Sequence, residues 1–478
     1  MKACTMNTSR LHGPPRHLLL LLSCAAALGG CASFSPDGGF SAVEKAAKDH
    51  LGKELQWARS DADQDRINQR VAGLLASPLT VDDAVQVALL NNRGLQASFQ
   101  ALGITEAEVV QAGRLPNPGF SFGRNSRGEE REIERGLHLN LARLITMPWT
   151  GQMEARRFEH TKAMVAMRVL ELAADTRKAY YNTVAAAQSV RYMRQVQEAA
   201  EASSELARRM EQVGNFNKLQ RAREQMFAAD ASLNLARAEQ AQRATRERLT
   251  RLMGVWGTQA QFTLPERLPD LPQAVMDQPD IERVALAQRL DVLAAKRMAE
   301  QTAKNLGLTK TTRFINVLEI GAVRNSSNEA PTQRGWEVAV ELPVFDWGGA
   351  RVAKAQALYL QAVHSAAETA INARSEVREA YTHYRSAYDI ARYQRDEVVP
   401  LSQRISEENL LRYNGMLIGV FELLADARSQ INSVNASIQA LRDFWIAQAD
   451  LDMAMIGKPN LTPALGPSMP TAAAGEGH

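Results

Sequence analysis

Cysteine, aromatic residues and an excess of charge are all scarce in this sequence. It has three cysteines in 478 residues, 6% aromatic residues, and a formal net charge of +3 against 23% charged residues. Because the charges balance, the composition gives no indication of a nucleic-acid-binding surface. The mean hydropathy of -0.29 is more typical of solvated helices than of a bundle of membrane-spanning helices.

Long apolar runs are also missing, with one exception near the N-terminus. Residues 18–28 are strongly apolar, follow three basic residues and precede small ones, which is typical of a secretion signal. The run is too short to span a bilayer in the mature protein. It ends in Leu28-Gly29-Gly30-Cys31, which resembles the processing box of bacterial lipoproteins and predicts acylation, as by palmitate, at Cys31. An ordinary secretory signal cleaved near Ala32 is the alternative.

Removal of such a signal takes Cys4 and Cys24 with it and leaves Cys31 alone. A disulfide or a thiolate metal site within one mature chain is then excluded. We expect residues 1–30 to be the signal peptide and residues 31–78 to be a lipidated N-terminal tether.

The sequence resembles itself at a shift of 201 residues, which indicates a duplication. Arg177-Lys178-Ala179-Tyr180 falls on Arg378-Glu379-Ala380-Tyr381, and Gly214 falls on Gly415. Tryptophan–glycine segments at 148–151 and 345–349 match at nearly the same shift. The pattern predicts a first repeat at 79–257, a linker at 258–278, a second repeat at 279–457 and a disordered tail at 458–478. Chance similarity between two alanine-rich helices is the alternative.

Each repeat is predicted to run helix, two strands, long helix, turn and long helix. In the first repeat Thr80 precedes Asp83 by three positions, a typical N-cap pattern, and the helix ends before Pro116. We predict strands at 120–123 and 137–144, a long helix at 151–213, a turn at 214–216 and a return helix to 253. In the second repeat the strands are predicted at 313–323 and 335–342 and the helices at 349–414 and 417–456, with a kink at Pro400.

Apolar residues recur every seven positions along the long helices, which predicts coiled-coil packing. The seam of the first repeat is Val165, Leu172, Ala179, Ala186, Met193, Ala200 and Ala207. The second repeat has two seams, whereas the companion positions of the first include Thr176, Thr183 and Gln197. We therefore expect that companion face to be wet.

The predicted strands alternate between apolar and polar residues. Leu137, Leu139 and Leu141 are expected on one face, with His138 and Asn140 on the other. A lipid-facing side and a polar lumen explain the alternation, but four strands are too few to close a membrane barrel. We interpret the strands as one share of a barrel built by several chains, and a small sheet capping a helical bundle is the alternative.

Two segments carry a resemblance to a known family. The junction LPVFDWGGARVAKAQA and the turn LLRYNGMLIGVFELLADARSQ are similar to signatures of the TolC family of outer-membrane efflux channels, and Cys31 resembles the lipoprotein branch of that family. The resemblance covers about residues 79–457. The sequence departs from the family in having no proline before the first strand of the second repeat. It also lacks the usual acidic residue and Leu-Asp-Ala run at the first hairpin tip.

The resemblance implies a mostly α fold of long antiparallel coiled-coil hairpins in two repeats, with four β-strands contributed to a trimeric 12-stranded transmembrane β-barrel. It implies a homotrimer, lipid-anchored in the cell outer membrane and extending into the periplasm. Such a trimer conducts substrates passively through a gated tunnel that starts at an inner-membrane pump and a periplasmic adaptor. No enzymatic activity, cofactor or nucleic acid is implied, and the exported substrate stays open. The alternatives are a periplasmic coiled-coil adaptor lipoprotein without a pore and a lipoprotein enzyme on a helical platform.

The resemblance also implies where the functional residues lie. The hairpin tips that contact the adaptor correspond to Gly214, Asn215, Asn414, Gly415 and Leu424. Glycine and asparagine suit such tips because they tolerate a positive φ.

The periplasmic gate corresponds to Arg412, Tyr413, Glu422 and Asp426. Glu422 and Asp426 are four positions apart and share one helix face. Three copies of this pair would favour cations at the entrance and would bridge to Arg412 in the shut state. Solvated charges on an outer face are the alternative.

Membrane-interface junctions are predicted at Trp149, Gly151, Trp347, Gly348 and Gly349, because amphipathic rings favour that depth. Packing between the repeats is the alternative role for the two tryptophans. The eight histidines show no spacing typical of a metal site, and the 16 methionines are scattered. We therefore predict no metal site.

Overall fold

The computed structural model describes residues 33–275, 277–312, 318–340 and 344–461. The predicted signal peptide, Cys31 and residues 462–478 of the predicted tail lie outside the described residues, as do parts of two predicted strands at 313–317 and 341–343.

The first repeat follows the predicted order of elements, and two short helices precede it among the residues described from 33 onward. These are α1 (Phe40–Leu51) and α2 (Asp61–Leu75). The repeat then comprises α3 (Val81–Asn91), α4 (Arg93–Ala112), β1 (Gly119–Arg127), β2 (Glu130–Asn140), α5 (Leu141–Gln212) and α6 (Lys218–Met253).

The second repeat has the same order, so the predicted duplication of elements is present in the structure. It comprises α7 (Ile281–Gln288), α8 (Leu290–Thr312), β3 (Leu318–Ser327), β4 (Gln333–Val340), α9 (Gly349–Tyr393), a π-helical turn (Gln394–Val398), α10 (Val399–Asn414) and α11 (Val420–Ile456).

In each repeat a polar residue interrupts the first helical segment. The side chain of this residue donates a hydrogen bond to a carbonyl at the C-terminal end of the last helix of the same repeat. Asn92 follows α3 and donates its side-chain amide to the Leu252 carbonyl at 2.9 Å. Arg289 follows α7, lies fully buried, and donates to the Ala454 carbonyl at 3.3 Å and to Glu376 at 2.7 Å. These bonds satisfy backbone carbonyls that a helix end leaves free. The first of these helices begins where predicted, because Thr80 Oγ1 accepts the Asp83 amide at 3.1 Å.

The prediction for the start of the first long helix was wrong by ten residues. β2 ends at Asn140 and α5 begins at Leu141 rather than at residue 151. The Asn140 side chain accepts the Arg143 amide at 2.8 Å, as an N-cap residue does. Pro148 therefore lies inside the helix, although its ring removes one intrahelical hydrogen bond. Leu141 belongs to the helix and not to the apolar face of the strand.

The predicted disturbance at Pro400 takes the form of a π-helical turn. The turn Gln394–Val398 precedes α10, and the Val399 amide donates to the Gln394 carbonyl five residues earlier. A proline cannot supply an amide hydrogen. A change just before it from hydrogen bonds between residues four apart to hydrogen bonds between residues five apart keeps the helix continuous. The helix that follows ends at Asn414, as predicted.

The four strands form one antiparallel sheet in the order β1-β2-β3-β4. Both hairpin turns, at 128–129 and 328–332, lie at one end of the sheet, and the connections to helices lie at the other. Every residue of β4 is exposed, as are all but one residue of β1. The sheet therefore offers both of its faces and both of its edge strands without cover from the described residues.

The described residues fall into two compact units. One unit contains the sheet, within Gly103–Glu159 and Gln301–Tyr359, together with the residues before Gly39. The other contains Gly39–Leu102, His160–Glu300 and the residues after Tyr359. Each repeat contributes to both units, so the units do not coincide with the repeats. In the second unit Phe40, Trp57 and Phe99 form an aromatic cluster that ties the N-terminal segment to α4.

The core of the helical unit uses the heptad positions. In the first repeat the buried seam residues are Val165, Leu172, Ala179, Met193, Ala200 and Ala207. In the second repeat Val377, Ala380 and Tyr384 pack with Phe444 and Leu451 of α11. Small alanine side chains let the helices approach closely, and the aromatic rings fill the wider gaps. None of the described helices has both the length and the apolar character needed to cross a lipid bilayer.

The companion face of the first repeat is buried at its two threonines, contrary to the expectation that this face is wet. Thr176 and Thr183 are buried. Each hydroxyl donates to the carbonyl four residues earlier at 2.7 Å, and Thr183 also contacts the Thr245 carbonyl at 3.1 Å. A hydroxyl that finds a backbone acceptor in its own helix is buried at little cost. Gln197 is half-buried.

An ion pair is buried between the first long helix and the last one. Lys178 of α5 donates to Asp450 of α11 at 2.9 Å and to the Asn460 carbonyl at 2.7 Å. The two side chains are 7% and 2% exposed. Burial raises the pKa of the Asp450 carboxyl, although Lys178 opposes that shift.

The two hairpin tips have the same backbone geometry at a shift of 202 residues. The Asn215 amide donates to the Met210 carbonyl at 2.8 Å, and the Leu417 amide donates to the Arg412 carbonyl at 2.8 Å. The residue before each donor has a positive φ, namely Gly214 (φ 81) and Met416 (φ 58). Asn215, Asn414 and Gly415 do not take the positive φ that was expected at the tips. In the second tip the turn places this conformation at Met416, one residue after Gly415, whose φ is -81.

We predict that replacing Lys178 with methionine lowers the stability by about 3–5 kcal/mol, because Asp450 is left buried without its partner. Because the pKa of Asp450 is raised in the folded protein, ionisation of this carboxyl lowers the free energy of unfolding as the pH rises through that pKa. The loss should therefore shrink in acid, where the carboxyl is protonated. Thermal unfolding at neutral and acid pH measures both effects. The control Lys178→Met/Asp450→Leu should recover most of the loss, and equal losses in the single and double variants would contradict the pairing.

We predict that Met416→Gly stabilises the second tip by about 1 kcal/mol, because a non-glycine residue with positive φ is strained. Met416 is 93% exposed, so little packing is lost. Hydrogen exchange of the tip amides should slow by about fivefold. Gly214→Ala is the matched change in the opposite direction and should speed exchange at the first tip. Faster exchange in Met416→Gly would show that the methionine side chain stabilises the turn.

Candidate functional site: two sheet faces and two hairpin tips

The register of the sheet places apolar residues in rows on one face. Phe120 lies opposite Leu137, Leu137 opposite Ala322, and Ala322 opposite Trp336. The neighbouring row toward the helical end is Leu139, Ile320 and Val338. Trp336 is 77% exposed and Phe120 is 70% exposed. We call this side the apolar face.

The next row toward the hairpin turns changes from apolar to basic. Arg135 lies opposite Arg324, and Arg324 lies opposite Arg334, on three adjacent strands. Arg124 and Arg131 lie on the same face, still nearer the turns. The described strand residues of this face include no carboxylate.

The opposite side, which we call the polar face, carries all the acidic residues of the described strands. They are Glu130, Glu132, Glu134, Glu319 and Glu337. Arg127 is the one basic residue among the described strand positions of this face, apart from His138. Because side chains alternate across a strand, the sheet separates positive charge from negative charge. The predicted placement of Leu137 and Leu139 opposite to His138 and Asn140 is confirmed.

His138 links all four strands on the polar face. Its Nε2 lies 2.8 Å from Ser121 Oγ on β1, and its Nδ1 lies 2.8 Å from Glu337 Oε1 on β4. The ring reaches β4 across Gly321, where a Cβ would lie only 2.8 Å from Nδ1. Glycine at that position is therefore required for the contact. The sequence contains no local motif for this hydroxyl–imidazole–carboxylate chain, because it joins residues 121, 138 and 337.

The predicted tip residues lie at the two turns. Gly214 and Asn215 connect α5 to α6, and Asn414 and Gly415 end α10. Leu424 lies in α11, but its side chain is outside the described part of the chain.

The four predicted gate residues lie near the second tip without contacting one another in any hydrogen bond or ion pair among the described residues. Arg412 pairs with Glu408 of its own helix at 3.1 Å rather than with Glu422 or Asp426. Tyr413 is half-buried and Glu422 is exposed. Asp426 Oδ2 is buried without a hydrogen-bond partner among the described residues.

A polar tie between the two hairpins was not predicted. Glu224 of α6 has a side chain that is only 2% exposed and lies 3.8 Å from Arg428 of α11. Ser203 of α5 donates to the same carboxylate at 2.9 Å, and the Arg428 guanidinium stacks 4.4 Å from the Phe227 ring. In sequence Glu224 stands among exposed polar residues of α6, so no pattern marks it as buried.

The predicted junction residues differ between the repeats. Gly348 has φ 73, its amide donates to Asp346 Oδ1 at 2.8 Å, and α9 begins at Gly349. Trp347 is exposed at this junction. Trp149 and Gly151 lie inside α5 instead of at a strand-to-helix junction, because Asn140 starts that helix earlier.

Metal-ligating groups do not cluster in the described residues: no three His, Cys, Asp or Glu side chains there are placed to hold an ion.

A comparison of sequences finds a characterised relative but no matching family model. The chain is 24% identical over 283 residues to the cobalt-zinc-cadmium resistance protein CzcC of Cupriavidus metallidurans. The match covers 57% of this chain and spans 64% of the length of CzcC.

Solved structures match over more of the chain. CusC, in a structure described in terms of transmembrane channel formation, matches with a TM-score of 0.65 and 16% identity over 79% of this chain and 92% of its own. The CmeC outer membrane channel of Campylobacter jejuni matches with a TM-score of 0.66 and 16% identity over 86% of this chain and 91% of its own. The chain therefore has the fold of the TolC family of outer-membrane channels.

Proposed function

We propose that three copies of this chain form an outer-membrane channel that conducts substrate passively out of the periplasm. The observation that carries the proposal is the uncovered four-stranded sheet, with unpaired edges and two faces of opposite character. Lipid requires every strand edge to be hydrogen-bonded, so a membrane sheet must close. Four strands are too few to close, whereas three copies supply twelve.

The two faces of the sheet then acquire different surroundings. The apolar face, with Phe120, Leu137 and Trp336, contacts the hydrocarbon, and the polar face lines the passage. Exposed Val344, Phe345 and Trp347 after β4 support a membrane interface at this junction. An acylated Cys31 would add a second attachment to the same membrane.

The helical hairpins, in this proposal, form the periplasmic part of the passage and meet an adaptor and an inner-membrane pump. Several solved structures that share the fold are described as outer membrane channels, which favours this function over that of an adaptor without a pore. The tip residues Gly214, Asn215, Asn414, Gly415 and Leu424 are the proposed adaptor contacts.

We propose divalent metal cations as the substrate class. The carboxylates of the polar face, repeated in three copies, give the passage a negative lining that favours cations. The name of the relative CzcC, a resistance protein for cobalt, zinc and cadmium, agrees with that charge.

The gate is proposed to lie at the second tip, where Arg412, Tyr413, Glu422 and Asp426 stand close in sequence to the hairpin turn. The tie from Glu224 to Arg428 joins the two hairpins of one subunit. Opening that moves one hairpin away from the other must break this tie, whose carboxylate is buried. The tie therefore opposes opening.

We predict that the purified trimer conducts ions in planar bilayers with a preference for cations. Glu132→Gln/Glu134→Gln/Glu337→Gln should reduce that preference, measured as the reversal potential in a salt gradient, because three negative charges leave the lining of each subunit. Glu44→Gln, which removes an exposed carboxylate of α1, is the control. Absence of conductance in the wild-type protein would refute the channel, whereas an unchanged reversal potential in the triple variant would refute only the assignment of the polar face.

We also predict that Arg428→Gln increases the time spent in the open state by about threefold, because Arg428 is 43% exposed and lies 3.8 Å from Glu224, and such a screened ion pair contributes about 0.2–1 kcal/mol of resistance to opening. Single-channel recordings give the open fraction directly. Arg442→Gln is the matched control, because Arg442 lies on the same helix but pairs with its neighbour Asp443 at 2.7 Å. Equal effects in the two variants would show that the tie has no special role in closure.

A further inference from the structure

We propose that the row formed by Arg135, Arg324 and Arg334 is a binding site for the phosphate groups of lipid headgroups in the outer leaflet of the membrane. This inference rests on the proposed function, because it requires the apolar face to contact lipid. We call these three residues the arginine row.

The arginine row destabilises the isolated sheet because its like charges repel one another. Arg135 and Arg324 are direct partners across β2 and β3, and Arg324 and Arg334 are direct partners across β3 and β4. Side chains that face each other across antiparallel strands have Cβ atoms about 4.5–5.5 Å apart, and like charges there are destabilising. An anion between the guanidinium groups converts this repulsion into attraction.

No such anion comes from the described residues of the chain. None of the three arginines forms an ion pair with a described carboxylate, and all three are exposed. The carboxylates of the sheet all lie on the polar face, on the other side of the backbone. The anion therefore has to come from outside the chain.

Closure by neighbouring copies does not supply the anion either. In a closed trimer β4 of one copy meets β1 of the next. The β1 residues of the apolar face are Phe120, Phe122, Arg124 and Ser126, so the next copy adds another arginine and no carboxylate. Three copies would carry a basic collar around the barrel, interrupted once in each copy by Phe122 of β1, which lies opposite Arg135.

The depth of the arginine row matches that of headgroups. It follows the apolar row of Leu137, Ala322 and Trp336 by two residues on each strand, or about 7 Å, and lies on the side of the hairpin turns. The helices connect at the other end of the sheet. If the helices are periplasmic, the turns face the exterior, and the row lies at the outer leaflet.

Guanidinium groups suit phosphate in particular. Each offers two parallel N–H donors that match two phosphate oxygens. Three of them side by side would hold a doubly phosphorylated headgroup more firmly than scattered basic residues, and each basic residue at a membrane surface adds to the attraction.

The test uses the full-length trimer reconstituted in phosphatidylcholine vesicles that contain diphosphorylated lipid A. After extraction into neutral detergent, native mass spectrometry counts the lipid A that stays with each trimer. We expect Arg135→Gln/Arg324→Gln/Arg334→Gln to retain on the order of tenfold less than the wild-type protein. Arg127→Gln, which removes an arginine from the polar face of the same sheet, is the matched control and should retain as much as the wild-type protein.

Three results would overturn the proposal: unchanged retention in the triple variant, an equal loss in Arg127→Gln, or equal retention by the wild-type protein of lipid A lacking its phosphates. Should the triple variant fail to assemble, the wild-type protein still tests the site, because retention through phosphate must fall as salt concentration rises, and salt-independent retention contradicts it. Conductance of the same preparations separates the two proposals. A wild-type protein that conducts without retaining lipid A refutes the lipid site alone, and one that does not conduct refutes the channel.

Discussion

Amide and carbonyl groups along the edge of a β-sheet need hydrogen-bond partners wherever water is excluded. Here β1 and β4 are both edge strands, and both carry exposed aromatic residues on the same face. In water such edges invite pairing with other strands, and in lipid they cannot remain open. Pairing β4 of one copy with β1 of the next satisfies both demands. The proposed trimer, with its lipid-facing side and its conducting side, follows from that closure.

The second constraint is the two-residue period of a strand, which by itself places alternate side chains on opposite faces of the sheet. Five glutamates on one face and five arginines on the other give the sheet opposite potentials only one strand thickness apart. In the proposed channel, ion conduction uses the negative face, and attachment to lipid phosphates uses the positive one. The glycine at 321 allows His138 to reach Glu337 across a whole strand, which ties the polar face together.

The helical unit meets a different demand in the proposed channel, where long helices are aligned and yet move at their tips. Alanine seams and satisfied threonine hydroxyls align α5 with its neighbours over many turns, and the buried pair Lys178–Asp450 links it to α11. Toward the tips the buried apolar residues become sparse, and polar contacts such as Glu224–Arg428 hold the hairpins together. Polar ties break and re-form more readily than packed cores, so the region proposed to open is held by the weaker kind of contact.

Local patterns in the sequence were sufficient for the elements and their order. These patterns each act over a few residues and can therefore be recognised without a structure. They are the sevenfold seam, the cap at Thr80, the turn at Gly214 and the alternation at 137–140. Where two local signals competed, the prediction failed: the tryptophan–glycine segment at 148–151 suggested a boundary, but the Asn140 cap set it eight residues before that segment. Met416 was missed because its positive φ is imposed by the turn and not by the residue type.

The sequence by itself determined the duplication, the helix–strand order of each repeat, and which residues of each strand share a face. Only the tertiary structure decided which strands are neighbours, and with that the arginine row, the Ser121–His138–Glu337 chain and the tie between Glu224 and Arg428. The physical reason is that periodicity acts along the chain, whereas the register between strands and the depth at which a helix face is buried depend on partners that are far away in sequence.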